Sequence, residues 1–226
     1  MKISKRHQAN KEQVDKDKVY SLAEAIELAK KTSTTKFPGS VELHIKTAIE
    51  VRKTDQAIRG SITLPHGTGK TKRIAAFVTE AKEAEAKTAG AEIIGGESLI
   101  EKIKTTEKTD FDVAVAEPAI MPKLAQIARL LGTRGMMPNP KTGTVTEDIA
   151  GAIKEIAAGK LNFKNDNSGN IHQIVGKVDF DSNKLEENIK TFIEALHAQK
   201  PAAVKRNFVQ NMSLNSTMGP GIKFSI

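Results

Sequence analysis

The sequence predicts a protein of mixed α/β and α+β class with two domains: a terminal α+β domain with a sheet covered by two helices, and an inserted Rossmann-like three-layer α/β domain. Three observations predict it. The net charge sits at the two ends of the chain, the hydrophobic rhythm changes between them, and glycine-bearing segments mark both changes. Residues 1–66 carry 13 Lys/Arg against 8 Asp/Glu and residues 160–226 carry 9 against 6, whereas residues 67–159 balance 13 against 13. A chain of 226 residues can form one large or two modest domains. A neutral stretch between two basic ends points to an insertion, with 1–66 and 160–226 forming one domain and 67–159 the other.

The elements follow in order. Ser21-Leu22-Ala23-Glu24 is a capping-box pattern, and Leu22, Ala25, Ile26 and Ala29 recur at helical spacing, so the spacing predicts an amphipathic helix over 21–31. Val41, Leu43, Ile45, Thr47 and Ile49 alternate with Glu42, His44, Lys46 and Ala48, as a half-buried strand requires. Residues 58–64 read as a second short strand. In the last segment 171–180 and 208–214 read as strands. Between them Leu185, Ile189, Phe192, Ile193 and Leu196 mark a helix, capped near Ser182 and stopped by Pro201. Neither end alone supplies a layered domain; together they supply about four strands and two helices.

The middle has a different rhythm. Short apolar runs at 74–79, 92–94 and 112–116 are each followed by a helical segment, near 80–89, 97–105 and 119–131, with a fourth at 146–158. Strands alternating with helices predict right-handed crossovers and a small parallel sheet covered on both faces. The entry reads His66-Gly67-Thr68-Gly69-Lys70 and the exit Ala157-Ala158-Gly159-Lys160, which makes Gly67, Gly69 and Gly159 candidate hinge residues.

Composition narrows the function. With 35 basic and 27 acidic residues the formal charge is +8, a balance that favours polyanions. No stretch reaches the roughly 18–20 apolar residues of a spanning helix, so no membrane association is expected. The start Met1-Lys2-Ile3-Ser4-Lys5-Arg6-His7 is polar throughout, without the apolar core of a signal peptide. The absence of cysteine excludes disulfides and thiolate metal sites and fits a reducing cytoplasm. The five histidines show no paired spacing typical of a metal site. The expectation is a cytoplasmic protein with no metal and no cofactor.

Enzyme motifs fail on inspection. Gly67-Thr68-Gly69-Lys70-Thr71 resembles a phosphate loop, yet the position of its first glycine is occupied by Leu64. After the first strand of the insertion the chain reads Val78-Thr79-Glu80-Ala81-Lys82-Glu83, where two carboxylates would repel a pyrophosphate and no glycine fingerprint exists. There is no nucleophile elbow and no zincin motif. Asp110 and Asp112 read as a solvated turn. The chain presents no catalytic constellation.

Contact motifs are better represented. Phe37 lies in the polar loop Thr34-Thr35-Lys36-Phe37-Pro38-Gly39-Ser40, where an aromatic either tucks under the loop or offers a face to a base. Lys36 beside it suits a phosphate. Ser40, Glu42, His44 and Lys46 step along the outward face of the following strand, where polar groups can meet base edges and ribose 2′-hydroxyls. Thr217, Met218 and Gly219 lie in a loop of small residues that permits close backbone approach, with Met218 an adaptable apolar contact. In Asn165-Asp166-Asn167-Ser168-Gly169-Asn170-Ile171-His172, Asp166 and His172 belong either to a plain hairpin or to a sugar–phosphate contact.

With these residues in view, the chain resembles the large-subunit ribosomal protein L-one family in its bacterial form. The resemblance runs from Lys18-Val19-Tyr20 to Thr217-Met218-Gly219-Pro220. Its most specific part is Leu131-Gly132-Thr133-Arg134-Gly135-Met136-Met137-Pro138-Asn139-Pro140-Lys141, followed by Gly143-Thr144-Val145. Arg59-Gly60, Leu64-Pro65-His66-Gly67-Thr68-Gly69-Lys70, Gly95-Gly96 and Asn170-Ile171-His172 also match. The resemblance implies a middle domain inserted into a terminal domain that binds large-subunit ribosomal RNA, on the mobile stalk near the tRNA exit site. It implies RNA contacts by Lys36, Phe37, Ser40, Glu42 and Lys46, with Thr217, Met218 and Gly219 opposite them. It further implies exit-site tRNA and the protein's own messenger RNA as partners, with release of deacylated tRNA and translational repression as activities, and a monomer off the ribosome. Thr133 stands where the family usually has proline; the lost fixed φ predicts a looser signature loop, and bears on secondary RNA contacts by Arg134 and Lys141. A nucleotide-dependent enzyme on the insertion and a nonspecific RNA chaperone are the competing readings.

Overall fold

A computed structural model describes residues 4–51, 53, 56–202, 204 and 207–225; Met1, Lys2 and Ile3 of the polar start lie outside the described residues. The chain forms two compact units, Met1–Gly69 with Asn162–Ile226, and Lys70–Leu161. In chain order the elements are α1 (Lys5–Glu12), β1 (Tyr20–Ser21), α2 (Leu22–Lys31), β2 (Ser40–Thr47) and β3 (Arg59–Thr63). Then come β4 (Ile74–Phe77), α3 (Glu83–Thr88), β5 (Ile93–Gly95), α4 (Glu97–Thr106), β6 (Val113–Ala116), α5 (Met121–Leu124), α6 (Ala128–Thr133) and α7 (Ile149–Ala157). The chain closes with β7 (Lys160–Lys164), β8 (Asn170–Lys177), α8 (Ser182–Ala198), β9 (Val209–Ser216) and β10 (Ile222–Ser225).

The main sheet of the terminal unit has the order β1-β10-β9-β2-β8. β2 runs antiparallel to both β8 and β9, so a strand from the first segment is paired along both edges by strands from the last. Its alternation holds as expected: Val41, Leu43 and Ile45 are fully buried, while Ser40, Glu42, His44 and Lys46 stay partly exposed. The buried side faces α2 and α8. α2 contributes Leu22, Ala25, Ile26 and Ala29, and α8 contributes Leu185, Ile189, Phe192, Ile193 and Leu196. The capping box is formed, with the Glu24 amide donating to Ser21 Oγ at 3.4 Å and the Ser21 amide to Glu24 Oε2 at 3.0 Å.

Several elements differ from the expectation. The sheet gains two strands, the two-residue β1 and the short β10, and β7 pairs with β3 in a separate ribbon. The strand expected over 171–180 ends at Lys177, where the chain turns back and the Phe180 amide donates to the Lys177 carbonyl at 3.1 Å. α8 begins near Ser182 as expected, with Asp181 at the cap position and no side-chain cap bond, and the Ser182 hydroxyl accepts from Lys30 Nζ at 3.1 Å, tying α8 to α2. Asn188, fully buried among apolar side chains, is a further element of this unit. Its Nδ2 donates to the carbonyls of Gly67 (3.0 Å) and Val175 (2.8 Å), and its Oδ1 accepts from the His66 amide (3.1 Å).

The inserted unit is a three-layer α/β structure. Its parallel sheet has the order β5-β4-β6. Ala75 and Phe77 face one helical layer, with Ile100 and Ile103 from α4, Leu124 from α5 and Leu131 from α6. Ile74 and Ala76 face the other, with Ala86 from α3 and Ile149, Ala152, Ile153 and Ile156 from α7. The helix expected over 119–131 is split into α5 and α6 by a 3₁₀ turn at 125–127. Gly67, Gly69 and Gly159 have φ of +58°, +69° and +107°, values that favour glycine at each position.

Asn188→Ala is expected to cost about 2–3 kcal/mol, because each buried polar backbone group left unpaired costs roughly 1–3 kcal/mol. Denaturant unfolding of the parent and the variant checks this; an unchanged midpoint would remove Asn188 from the account of the core.

Candidate nucleic-acid interface

The outward side of the main sheet is mostly polar along its central portion, with Ile174 its one exposed large apolar side chain among the described residues there. The register sets His44 of β2 between His172 of β8 and Ser213 of β9, Glu42 between Ile174 and Asn215, and Lys46 between Asn170 and Asn211. These rows bring together residues more than a hundred positions apart in the chain. His44 is their centre. Its Nδ1 lies 2.7 Å from His172 Nδ1, with the rings edge-on at 4.9 Å, and its Nε2 lies 2.9 Å from Asn215 Oδ1. If His44 Nε2 donates to Asn215, a neutral His44 presents Nδ1 as acceptor and His172 Nδ1 donates to it. The two rings and the amide therefore hold one another in place across three strands.

One end of this face carries its two most exposed apolar groups. Phe37 stands 54% exposed and Met218 63% exposed, so the aromatic does not tuck under its loop. Met218 adopts φ +64°, a left-handed conformation that is uncommon for a residue with a side chain. Their two loops are joined by paired hydrogen bonds: the Ser40 amide donates to Thr217 Oγ1 at 2.9 Å, and the Thr217 amide to the Ser40 carbonyl at 2.9 Å. Gly219 leaves no room for a side chain, since a Cβ there would lie 2.5 Å from Ser216 Oγ. Thr35 Oγ1 donates to the Phe37 carbonyl at 2.8 Å, and Lys36 is exposed.

The other end is organised by Asp166. Its Oδ1 accepts from the amides of Ser168 (2.8 Å) and Asn170 (2.7 Å), and its Oδ2 from Asn170 Nδ2 (3.1 Å), with His172 Nε2 at 3.5 Å. The backbone amide of Asn170 is the chief cause that holds the carboxyl down at about 2, with further help from Ser168 and His172. Asp166 thus enters the site as the residue that shapes the turn and braces His172. Lys46 reaches over the same turn and donates to the Ser168 carbonyl.

Arg134 and Lys141 belong to the inserted unit. Arg134 Nη1 donates to Thr109 Oγ1, while Lys141 is exposed, its amide held by Asn139 Oδ1 at 2.8 Å. The signature loop is tied by local hydrogen bonds. Thr133 ends α6 with its hydroxyl donating to the Leu130 carbonyl at 3.0 Å, and Asn139, Thr142 and Thr144 bond among themselves. A cavity of about 590 Å³ lies beyond β4 in this unit, lined by Glu80, Glu83, Glu97 and Lys123, among others, with Lys123 paired to Glu97. Its carboxylates do not suit a nucleotide.

Known proteins share this sequence over nearly its whole length. The model of the ribosomal protein L1p/L10e family matches residues 29–220. The chain belongs to this family. Among its relatives, the large ribosomal subunit protein uL1 of Thermosipho africanus is 51% identical over 98% of this chain and 96% of its own length. The protein of that name from Mesoplasma florum is 51% identical over 100% and 99%, and that from Mycoplasma capricolum 50% over 98% of each. Members of the family are structural ribosomal proteins, and the chain is not an enzyme.

The sequence singled out Phe37, Met218 and the outward positions of β2. It did not single out Asn211, Ser213, Asn215 and Ile174, because only the pairing of β2 with β8 and β9 reveals that they share its face. Alternation within each strand was the available signal.

Because the Asp166 carboxyl sits below the roughly 3.9 of an unfolded chain, the stability it contributes is complete above about pH 4 and is lost as pH falls through about 2. Asp166→Ala is expected to lower Tm by a few degrees at pH 7 and by much less at pH 2.5, with Asp166→Asn intermediate. A Tm difference independent of pH would remove the carboxylate from that role.

Proposed function

We propose that this chain is a structural protein of the large ribosomal subunit that binds large-subunit ribosomal RNA through the outward face of its terminal unit. The supporting observation is the mostly polar face of β8, β2 and β9, interrupted by Ile174 and ended by Phe37 and Met218 on two loops tied through Ser40 and Thr217. Lysines supply affinity by releasing counterions, with Lys36 at the loop and Lys46 over the turn. Specificity comes from stacking on Phe37, from contact with Met218, and from Glu42, Ser40 and His172 directed at base edges and 2′-hydroxyls. Glu42 repels phosphate and accepts from a base amino group or a 2′-hydroxyl. Thr217 and Gly219 bring backbone close to the RNA, and Asp166 keeps His172 and Lys46 in position.

In this reading the protein sits in the cytoplasm, on the mobile stalk near the tRNA exit site, and assists release of deacylated tRNA. Gly67, Gly69 and Gly159 serve as hinges, and Lys141 and Arg134 as secondary RNA contacts. A single RNA face cannot hold two RNAs, so a similarly folded segment of the protein's own messenger would compete with ribosomal RNA. Unused protein then represses its own translation. Off the ribosome the protein is a monomer. Among the described residues no helix is long and apolar enough to cross a membrane, and no cluster of three His, Asp or Glu side chains could hold a metal ion.

The test uses the full-length protein with a stalk RNA fragment and a generic duplex at one stated salt concentration. Phe37→Ala is expected to weaken stalk binding about 10- to 100-fold, since a base–aromatic stack is worth roughly 1–3 kcal/mol. Met218→Ala acts in the same direction, and Tm stays unchanged in both. Unaltered affinity would remove that residue from the interface. Equal affinity of the parent protein for the two RNAs, with steep salt dependence, would replace this reading by a nonspecific chaperone.

A further inference from the structure

The loop that carries Met218 continues into a cavity unrelated to the sheet face. Val14, Pro220 and Gly221 line it, and Lys11, Lys16 and Lys223 stand around it with Asp15; its volume is about 300 Å³. That is the lower end of the roughly 300–1,000 Å³ found for small-molecule sites, and it fits one nucleotide. Val14 and Pro220 are buried and give an apolar floor. None of the three lysines has an ion pair or a side-chain hydrogen bond among the described residues. The single carboxylate is engaged locally, with Asp15 Oδ1 accepting from the Asp17 amide at 3.0 Å.

The cavity is held in a defined place. α1 has no apolar stripe and is not fixed by burial of a hydrophobic face. It is fixed by Asn10, which is buried and whose Nδ2 donates to the Thr32 carbonyl at 2.8 Å and to Thr34 Oγ1 at 3.0 Å. Those acceptors begin the loop that bears Phe37. The segment after α1 is pinned by the Asp15 amide, which donates to the Tyr20 hydroxyl at 3.0 Å. Lys11, Lys16 and Lys223 therefore stand around a cavity whose walls are tied to the start of the Phe37 loop through Asn10 and include Pro220 and Gly221 beside the Met218 loop, with no partner of their own among the described residues.

We propose that this cavity is an RNA subsite that receives one nucleotide of the strand leaving the Phe37–Met218 face. The base or ribose rests on Val14 and Pro220, and the adjoining phosphate lies among Lys11, Lys16 and Lys223. The proposal rests on the RNA-binding reading above and extends it to a part of the unit that the sheet face does not include.

Two kinds of variant of the full-length protein test it, with stalk RNA as the probe. In the triple variant Lys11→Gln, Lys16→Gln, Lys223→Gln, affinity is expected to fall about tenfold. The slope of log affinity against log salt should become shallower by about 0.7–0.9 for each phosphate that the variant no longer neutralises. Lys184→Gln with Lys190→Gln on α8 is the control for general loss of charge and is expected to change affinity by no more than about twofold. Gly221→Leu keeps every charge and fills the cavity; a Cβ at this position meets no atom within 4 Å, and φ is not in the left-handed region. It is expected to weaken binding about fivefold or more, with Tm unchanged.

Parent-like binding by Gly221→Leu would overturn occupancy of the cavity. A triple variant no weaker than the α8 control would overturn the phosphate contact. If the parent protein binds stalk RNA no better than a generic duplex, the RNA-binding reading itself fails; if that preference holds while the cavity variants bind like the parent, only this subsite fails. Should the triple variant unfold, Lys16→Gln and Lys223→Gln, both at exposed positions, carry the same comparison singly.

Discussion

Everything in the terminal unit depends on β2 finding partners from the far end of the chain. An isolated amphipathic strand has one apolar face and two open edges, and neither is stable in water. Here both edges are closed by β8 and β9, and the apolar face is closed by α2 and α8. The sheet is an interleaving of two sequence segments, and neither segment could bury Val41, Leu43 and Ile45 alone. Closing a loop the length of the inserted unit costs little more than closing a short one, because the entropy grows only with the logarithm of length. An intervening domain is thus tolerated at small thermodynamic cost.

The same pairing creates the outward face. Alternation that buries every second residue of β2 must expose the others, and antiparallel neighbours in register expose their own polar residues in the same rows. The face is then stiffened from within. Paired hydrogen bonds between Ser40 and Thr217 join two loops at one end, the His44–His172–Asn215 contacts join three strands in the middle, and Asp166 fixes the turn at the other. A rigid polar surface loses little side-chain freedom on binding, which favours specificity over mere charge attraction.

Much of this was legible in the sequence, and the illegible parts share a cause. The capping box of Ser21 and Glu24, the alternation of β2 and the helical stripe of α8 are local patterns, visible within a dozen residues. β1 is only two residues long and β10 four, too short to show a period. α1 is a polar helix held by one buried asparagine, Asn10, and carries no hydrophobic pattern to read. Asn188 looks like any polar residue on a helix until its three partners, drawn from two other segments, are known. For the candidate site, Phe37, Glu42 and Met218 could be singled out by local chemistry. The His44–His172 pair and the role of Asp166 in bracing His172 depend on which strand lies beside which, and that is not a local property.

The bonds between Ser40 and Thr217, partners 177 residues apart, bear on the order in which the molecule is made. Synthesis proceeds from the N-terminus at about 5–20 residues per second. β2 therefore waits roughly 10–30 s between its own appearance and that of the loop that is bonded to it at Ser40. The inserted unit draws its two hydrophobic clusters wholly from residues between Ile74 and Ile156, and so needs nothing from either end to form its core. During that interval a growing chain holds a foldable middle and an incomplete terminal sheet. The edge of β2 that pairs with β9 stays open until residues 209–216 have been made.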